Sequence, residues 1–301
     1  MLLLTIAYNR SMEYIIEEIE DMKRSFKDKK NILGISESII EDSHLVKFFS
    51  SDDNLSDSSI KAFNLNVANM LYKIVTIEFC KKEMNAFLAE TYFFLQNDEI
   101  KQIKPKIQEA LLSEGTILGP NMVYCINRKN KIIDKITRCI EENNEINVSG
   151  FLTFRTKELN SDLECIVDKV VEEYMVDKEY NEFIKLLKYF VDVQESKVDE
   201  VHILIEKNGS YNLRDEEGND LVGNMMTELP DVKFDSKENQ EELIISAMIT
   251  NAPKKIIIHC SGNCKNKELI GTISKVFVDR VHYCDNCVEC EKIKKGLAVF
   301  E

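Results

Sequence analysis

The amino-acid sequence predicts an α+β protein: a small N-terminal α/β part, a central helical bundle, and a C-terminal α/β domain with a strand-helix-strand crossover. Three observations carry this reading. Apolar residues alternate with polar ones near both ends, as half-buried strands require. Through the middle they recur at steps of three and four, the spacing of amphipathic helices. Only ten glycines and four prolines occur in 301 residues, too few for long flexible linkers. The length exceeds the usual size of a single core, and the changes of pattern set the parts at 1–57, 58–197 and 198–301.

The opening LLLTIAY reads as a buried strand, since it has neither the basic lead nor the small-residue cleavage site of a signal peptide. SMEYIIEEIEDMKRSF then places Met12, Ile15, Ile16 and Ile19 at helical spacing behind a Ser11 cap. NILGISESIIEDSHLVKFFSS breaks into shorter apolar runs and predicts two strands. SSDDNLSDSS has the composition of a linker and supplies capping residues. From Ile60 the residues Phe63, Val67, Met70, Leu71, Ile74 and Ile77 mark one face of a long helix. Phe87, Phe94 and Leu95 extend the pattern, Pro105 fits the first turn of a helix over KIQEALL, and Ile132, Ile133, Ile136 and Ile140 mark another segment. Cys80 and Cys139 prolong these stripes and Cys125 sits in the apolar run MVYCI, so these thiols are predicted as core. Each stripe needs a cover, and mutual packing in a bundle provides it at roughly 1.5–3 kcal/mol per buried Leu, Ile or Phe.

Leu163, Ile166, Val167, Val170, Val171 and Tyr174 predict a further helix. Tyr180, Phe183, Ile184, Leu187, Phe190 and Val191 continue it as an aromatic-rich stripe, expected in the core and not around a cofactor. VHILIEKNGSYNLRDEEGNDL alternates about Asn208-Gly209, a hairpin signal. A helix through NQEELIISAMITNA, a strand KKIIIHC, a helix KELIGTISKVFV, a strand RVHYC and a short helical tail then predict a parallel crossover.

The formal net charge of -14 opposes long-range attraction to nucleic acid or anionic membrane. Residues 254–301 carry nine Lys/Arg against six Asp/Glu, so the C-terminal stretch is the basic exception. No apolar run approaches the roughly eighteen residues that cross a bilayer, and a cytoplasmic protein without a membrane span is expected. Its nine cysteines are then reduced thiols, metal ligands or redox groups. KKIIIHCSGNCKNKELI is a strand-loop-helix, but it lacks both phosphate-binding glycine patterns. Acidic pairs such as Glu172 and Glu173 fit solvated surface positions.

INVSGFLTFR, EYNEFIKLLKYFVDVQ, DEVHILI and ISAMITNAPKKIIIH together resemble the YtxC-like proteins of endospore-forming bacteria, over residues 145–290. The resemblance implies a sporulation-associated protein. It brings no assigned activity and no catalytic motif.

Cys260, Cys264, Cys284, Cys287 and Cys290, with His259 and His282, place seven soft or borderline ligands within 32 positions. The five cysteines are the predicted metal ligands. Cys260 ends one predicted strand and Cys284 the next, and neighbouring strands run about 4.8 Å apart, so both thiols reach one rim beside Cys264 and Cys287. Zinc takes four tetrahedral ligands with Zn–S near about 2.3 Å, which C-x-x-C turns supply; four thiolates drawing on Cys260 or Cys264 are the expected set. The C-x-x-C-x-x-C run also matches part of a ferredoxin spacing, but the closing C-x-x-x-C-P element is missing, which ranks an iron-sulfur cluster below zinc. Two rival readings stay open. One is a thiol-disulfide oxidoreductase using Cys284 and Cys287 at a helix N-terminus, although no proline follows the motif. The other is a zinc-stabilised nucleic-acid-binding module using KKIIIH and EKIKKG. His44 and His202 have no ligand partner in sequence and are expected as ordinary groups. The favoured function is non-enzymatic, through protein contacts, with metal fixing roughly the last 40 residues.

Overall fold

The computed structural model describes residues 1–9, 13–27, 33–40, 43–50, 56–112, 122–223 and 237–296. The predicted Ser11 cap, Met12 and residues 51–55 of the serine-rich linker lie outside these. The described chain is α+β and divides into two compact units, Met1–Met175 and Val176–Glu301.

In the first unit β1 (Leu2–Asn9) lies inside a four-stranded sheet of order β2-β3-β1-β4. β2 (Leu33–Ile40) and β3 (Ser43–Ser50) are the two predicted strands, paired antiparallel, and β3 pairs antiparallel with β1. β4 (Glu145–Asn147) adds parallel to β1 and was not predicted, because three residues are too short for alternation to register. It brings the middle of the chain back to the N-terminal sheet. Leu4, Ile6 and Phe48 therefore share one buried cluster with Ile15 of α1 (Glu13–Lys27), Ile74 of α2 (Asp57–Lys82) and Ile136 of α5 (Met122–Glu142). The expected boundary at 57/58 runs through this core.

α2 starts where the Ser56 hydroxyl accepts the Ser59 N–H, satisfying one of the free amides of the first turn. α3 (Met84–Thr91) and α4 (Asn97–Leu112) follow, and Pro105 lies in the interior of α4, not in its first turn. The helix begins earlier because Asp98 and Glu99 complement its positive end and Glu99 accepts the Gln96 N–H at 2.8 Å. Cys125 is buried, and Cys80 and Cys139 pack against the same core. After α6 (Val148–Phe154) comes the 38-residue α7 (Thr156–Val193), whose residues 176–193 belong to the second unit. No described helix is long and apolar enough to cross a membrane.

The second unit holds a sheet of order β6-β5-β7-β8, from β5 (Glu200–Ile205), β6 (Tyr211–Asp215), β7 (Lys255–His259) and β8 (Val281–Cys284). The predicted hairpin joins β5 to β6; Gly209 adopts φ +85 and donates its N–H to the Glu206 carbonyl at 2.9 Å. β5 pairs parallel with β7 across α8 (Lys237–Asn251), and β7 pairs parallel with β8 across α9 (Lys267–Phe277), the predicted crossover. α10 (Val288–Lys295) is the helical tail. Val201, Ile203, Ile256 and Ile258 point to one face and pack with Ile244, Met248, Leu269 and Ile273 of the helices.

The aromatic-rich stripe of α7 divides in two. Tyr180, Ile184, Leu187 and Val191 pack into this core, whereas Phe183 and Phe190 remain 50% and 44% exposed. Apolar residues on the helix cover more than the width that one packed face absorbs.

Candidate metal centre

Strand alternation decides which polar side chains meet. The parallel registers pair His202 with Ile257, Leu204 with His259, and His259 with Cys284. With a period of two, Glu200, His202, Leu204, Lys255, His259, His282 and Cys284 share the face opposite the helices. Cys260 breaks the alternation: its left-handed backbone (φ 54, ψ 46) turns it into a small buried cluster with Leu204, Cys290 and Ile293. α10 lies over this face, and Cys287 is its N-cap, with Sγ accepting the Cys290 N–H at 3.4 Å. That cap puts the Cys287 and Cys290 sulfurs 3.5 Å apart.

His259, Cys284, Cys287 and Cys290 each offer one ligand atom, and the four atoms lie within 4.8 Å of one another. His259 Nδ1 is 3.3 Å from Cys287 Sγ and 3.4 Å from Cys290 Sγ, and Cys290 Sγ is 3.9 Å from Cys284 Sγ. A tetrahedron with Zn–S of about 2.3 Å has edges of about 3.8 Å, so the quartet needs only small adjustment to surround one ion.

The imidazole is oriented from behind. His259 Nε2 lies 2.9 Å from His202 Nδ1, His202 Nε2 lies 3.2 Å from Glu200 Oε1, and Lys255 Nζ donates to Glu200 Oε2 at 2.8 Å. An ionised carboxylate only accepts, so neutral His202 carries its proton on Nε2 and offers a lone pair at Nδ1. His259 must then donate from Nε2, which leaves the lone pair of Nδ1 facing the three sulfurs. This carboxylate-histidine-histidine chain is the outer support that metal-bound imidazoles commonly have.

Protonation follows the same logic. Burial, aided by the neighbouring His202, pushes the His259 pKa down, which keeps the ring neutral as a ligand must be. Burial raises the Cys290 thiol, which also faces Cys287 and Cys260. Burial also acts to raise Cys284, but the Asn286 N–H, Cys287 and Cys290 outweigh it and its pKa is lowered. The face beside the quartet opens on a groove of about 610 Å³ lined in part by His202, Lys255, His282, Cys284 and Glu289.

Of the five cysteines singled out from the sequence, Cys284, Cys287 and Cys290 converge. Cys260 lies alongside, its Sγ 3.9 Å from the Cys290 carbonyl, and outside the converging quartet. Cys264 turns the other way: it donates to the Asn266 carbonyl at 3.0 Å, sits 3.3 Å from the Tyr211 hydroxyl, and packs against the helix-side core. His259 takes the fourth place in the quartet. His202, expected as an ordinary group, is instead its hydrogen-bond partner. The alternation Glu200-Val201-His202 carried that signal, but its use required knowing that β5 and β7 are neighbours.

A mixed-sheet unit closed by a Cys₃His quartet under its last helix defines an α+β protein with a candidate metal clamp. The chain belongs to the YtxC-like family, whose model matches residues 65–282. That span includes His202 and His259 and ends before the three converging cysteines. Over 137 residues the chain is 31% identical to the "Uncharacterized protein YtxC" of Bacillus subtilis (strain 168), a match covering 44% of this chain and 47% of that relative. The chain thus spans about half the length of the curated relative it matches. No solved structure matches.

Proposed function

We propose that the second unit carries one structural zinc ion, held by His259 Nδ1 and the thiolates of Cys284, Cys287 and Cys290, and that the protein acts through protein contacts and not through catalysis. The convergence of the four ligand atoms within 4.8 Å carries this reading. Four protein ligands complete a tetrahedron and leave no open position for substrate, the mark of a structural site. Their spacing suits one ion, and is too tight for a cluster of several irons set between the sulfurs. Three thiolates and a neutral imidazole around Zn²⁺ leave one negative charge, which the N-terminal end of α10 favours. The setting we propose is the cytoplasm of a spore-forming bacterium, on the resemblance of the quoted stretches to sporulation-associated proteins.

Elemental analysis of anaerobically purified full-length chain tests the reading: about one zinc per chain is expected. Protein that stays metal-free after exposure to zinc would sink it. The lowered pKa of Cys284 gives thiol exchange its one specific support, and metal-free protein with a rapidly alkylated Cys284 would favour that role. A finer test addresses the outer support. His202→Ala should keep the fold and the zinc stoichiometry but weaken zinc roughly 10- to 100-fold in chelator competition. Unchanged affinity would show that His259 needs no orienting partner.

A further inference from the structure

We propose that Cys287 and Cys290 form an oxidation site for hydroperoxides, and that closing a disulfide between them expels the zinc and frees α10 from the sheet. This rests on the zinc reading above and adds to it how the ion is released. Cys284 and Cys287 are partly exposed and line the groove of about 610 Å³, whereas Cys290 is completely buried. A small hydroperoxide entering the groove therefore meets Cys284 or Cys287 first and finds Cys290 behind them. Cys287 has a partner at hand: its sulfur lies 3.5 Å from that of Cys290 and accepts the Cys290 N–H at the start of the helix. A C-x-x-C pair at a helix N-terminus is the setting in which thiolates are stabilised and a disulfide closes within one turn. Cys284 lies 3.9 Å from Cys290 Sγ but is carried on β8, whose pairing with β7 holds its backbone, so bridging it would require sheet and helix to shift together.

The Cys287 thiolate attacks the hydroxyl oxygen of the hydroperoxide. An S–O bond forms, the O–O bond breaks, and the alkoxide, or hydroxide from hydrogen peroxide, leaves and takes a proton from solvent. The Cys290 thiolate then displaces hydroxide from the sulfenic acid and forms the S–S bond. Two thiolates have given up two electrons, and the peroxide has taken both. Only His259 and Cys284 remain as ligands, two short of a tetrahedron, and the ion leaves. The new bond joins the cap of α10 to its own first turn, so it ties the helix to itself and not to β7 or β8. Cys260 marks the contrast. It follows β7 on the sheet side, with its Sγ 3.9 Å from the Cys290 carbonyl, and a bridge from Cys260 to Cys290 would fasten the helix in place. Without the ion, α10 keeps only the small cluster of Leu204, Cys260, Cys290 and Ile293 to hold it.

Zinc-loaded full-length chain treated with about ten equivalents of hydrogen peroxide tests this. Zinc counted before treatment separates the two readings. Protein without zinc at the outset sinks both, whereas loaded protein that keeps its ion and its thiols under peroxide overturns this one alone. About one zinc should appear in a chromogenic chelator for every two thiols lost, and dithiothreitol should restore both thiols and zinc binding. Zinc loss that dithiothreitol does not reverse overturns the disulfide. Cleavage before Asp285 and after Glu289 puts Cys284, Cys287 and Cys290 on separate peptides, so mass spectrometry reads the bridge directly. The Cys287 and Cys290 peptides should be joined; a bridge from Cys260 or Cys284 in its place overturns the assignment. Cys260→Ala should release zinc at the wild-type rate, and slower release would make Cys260 the resolving thiol and overturn the pairing. Hydrogen exchange through residues 288–295 should quicken in the oxidised chain, and a helix that stays protected after zinc has left overturns its release.

Discussion

Cys290→Ala should abolish tight zinc binding and unpin α10, while the helix-side core of the second unit stays folded. The reason lies in how little else holds this helix. Leu204, Cys260, Cys290 and Ile293 form a separate cluster of four buried residues. Ordering the eight residues of α10 costs on the order of 8 kcal/mol or more of backbone entropy. Burying Leu204 and Ile293 contributes about 3–6 kcal/mol, which leaves a deficit of a few kcal/mol. A structural zinc contributes about 10–16 kcal/mol in small zinc-binding peptides, enough to reverse that balance. Zinc content should fall from about one per chain to below about a tenth. Hydrogen exchange should quicken through residues 284–295 and stay slow at Val201, Ile203, Ile256 and Ile258. Acidification should imitate the substitution, because protons compete with the ion for the thiolates. A Cys290→Ala protein that keeps its zinc would remove this thiol from the site.

Spacing along the chain exposed part of the candidate metal centre. Cys287 and Cys290 are a helix cap and the residue three beyond it, so C-x-x-C brings their sulfurs together by local geometry alone, and Cys284 follows from strand end to turn. His259 was visible as a possible ligand, but the expectation of four thiolates set it aside. What spacing could not supply was backbone handedness. Cys260 sits in the left-handed region, uncommon for a residue with a Cβ, and this leaves His259 facing the thiols. Cys264, after the 3-10 turn Ser261–Asn263, is directed to the other side of the sheet. Glu200 and His202 became legible only through the β5-β7 pairing, because β6 and α8 intervene in sequence. In the first unit the long helices were legible from period alone; β4 was not, since its only signature is a pairing with β1. The α7 stripe shows a different limit: periodicity identified the apolar side chains, but only packing shows that Phe183 and Phe190 stay about half exposed while Ile184 and Leu187 are buried.

Asp162→Ala should destabilise the first unit by about 3 kcal/mol, the largest effect expected from any single charge there. Arg128, Lys131 and Lys135 lie at steps of three and four on one face of α5, and all converge on this carboxylate from α7, at 2.8, 3.0 and 2.9 Å. The Asp162 side chain is only 3% exposed. Burial alone would raise its pKa, but the hydrogen bonds from Lys135, Lys131 and Arg128 overcome this and hold it at about 2, against 3.8 for the ordinary group. A carboxyl depressed in the folded state adds stability that is complete above about pH 4 and is lost as pH falls through about 2. Urea unfolding of wild type and Asp162→Asn should therefore differ by about 2 kcal/mol at pH 7, with the gap closing toward pH 2. A gap that stays constant over that range would mean that shape, not charge, makes the contribution. The cations should not be equivalent: Lys131 is 55% exposed and Lys135 24%. Water already screens Lys131, so Lys131→Ala should cost under about 1 kcal/mol. Lys135→Ala should cost more, because its contact with Asp162 is better shielded and it also reaches the Glu158 carbonyl at 3.4 Å.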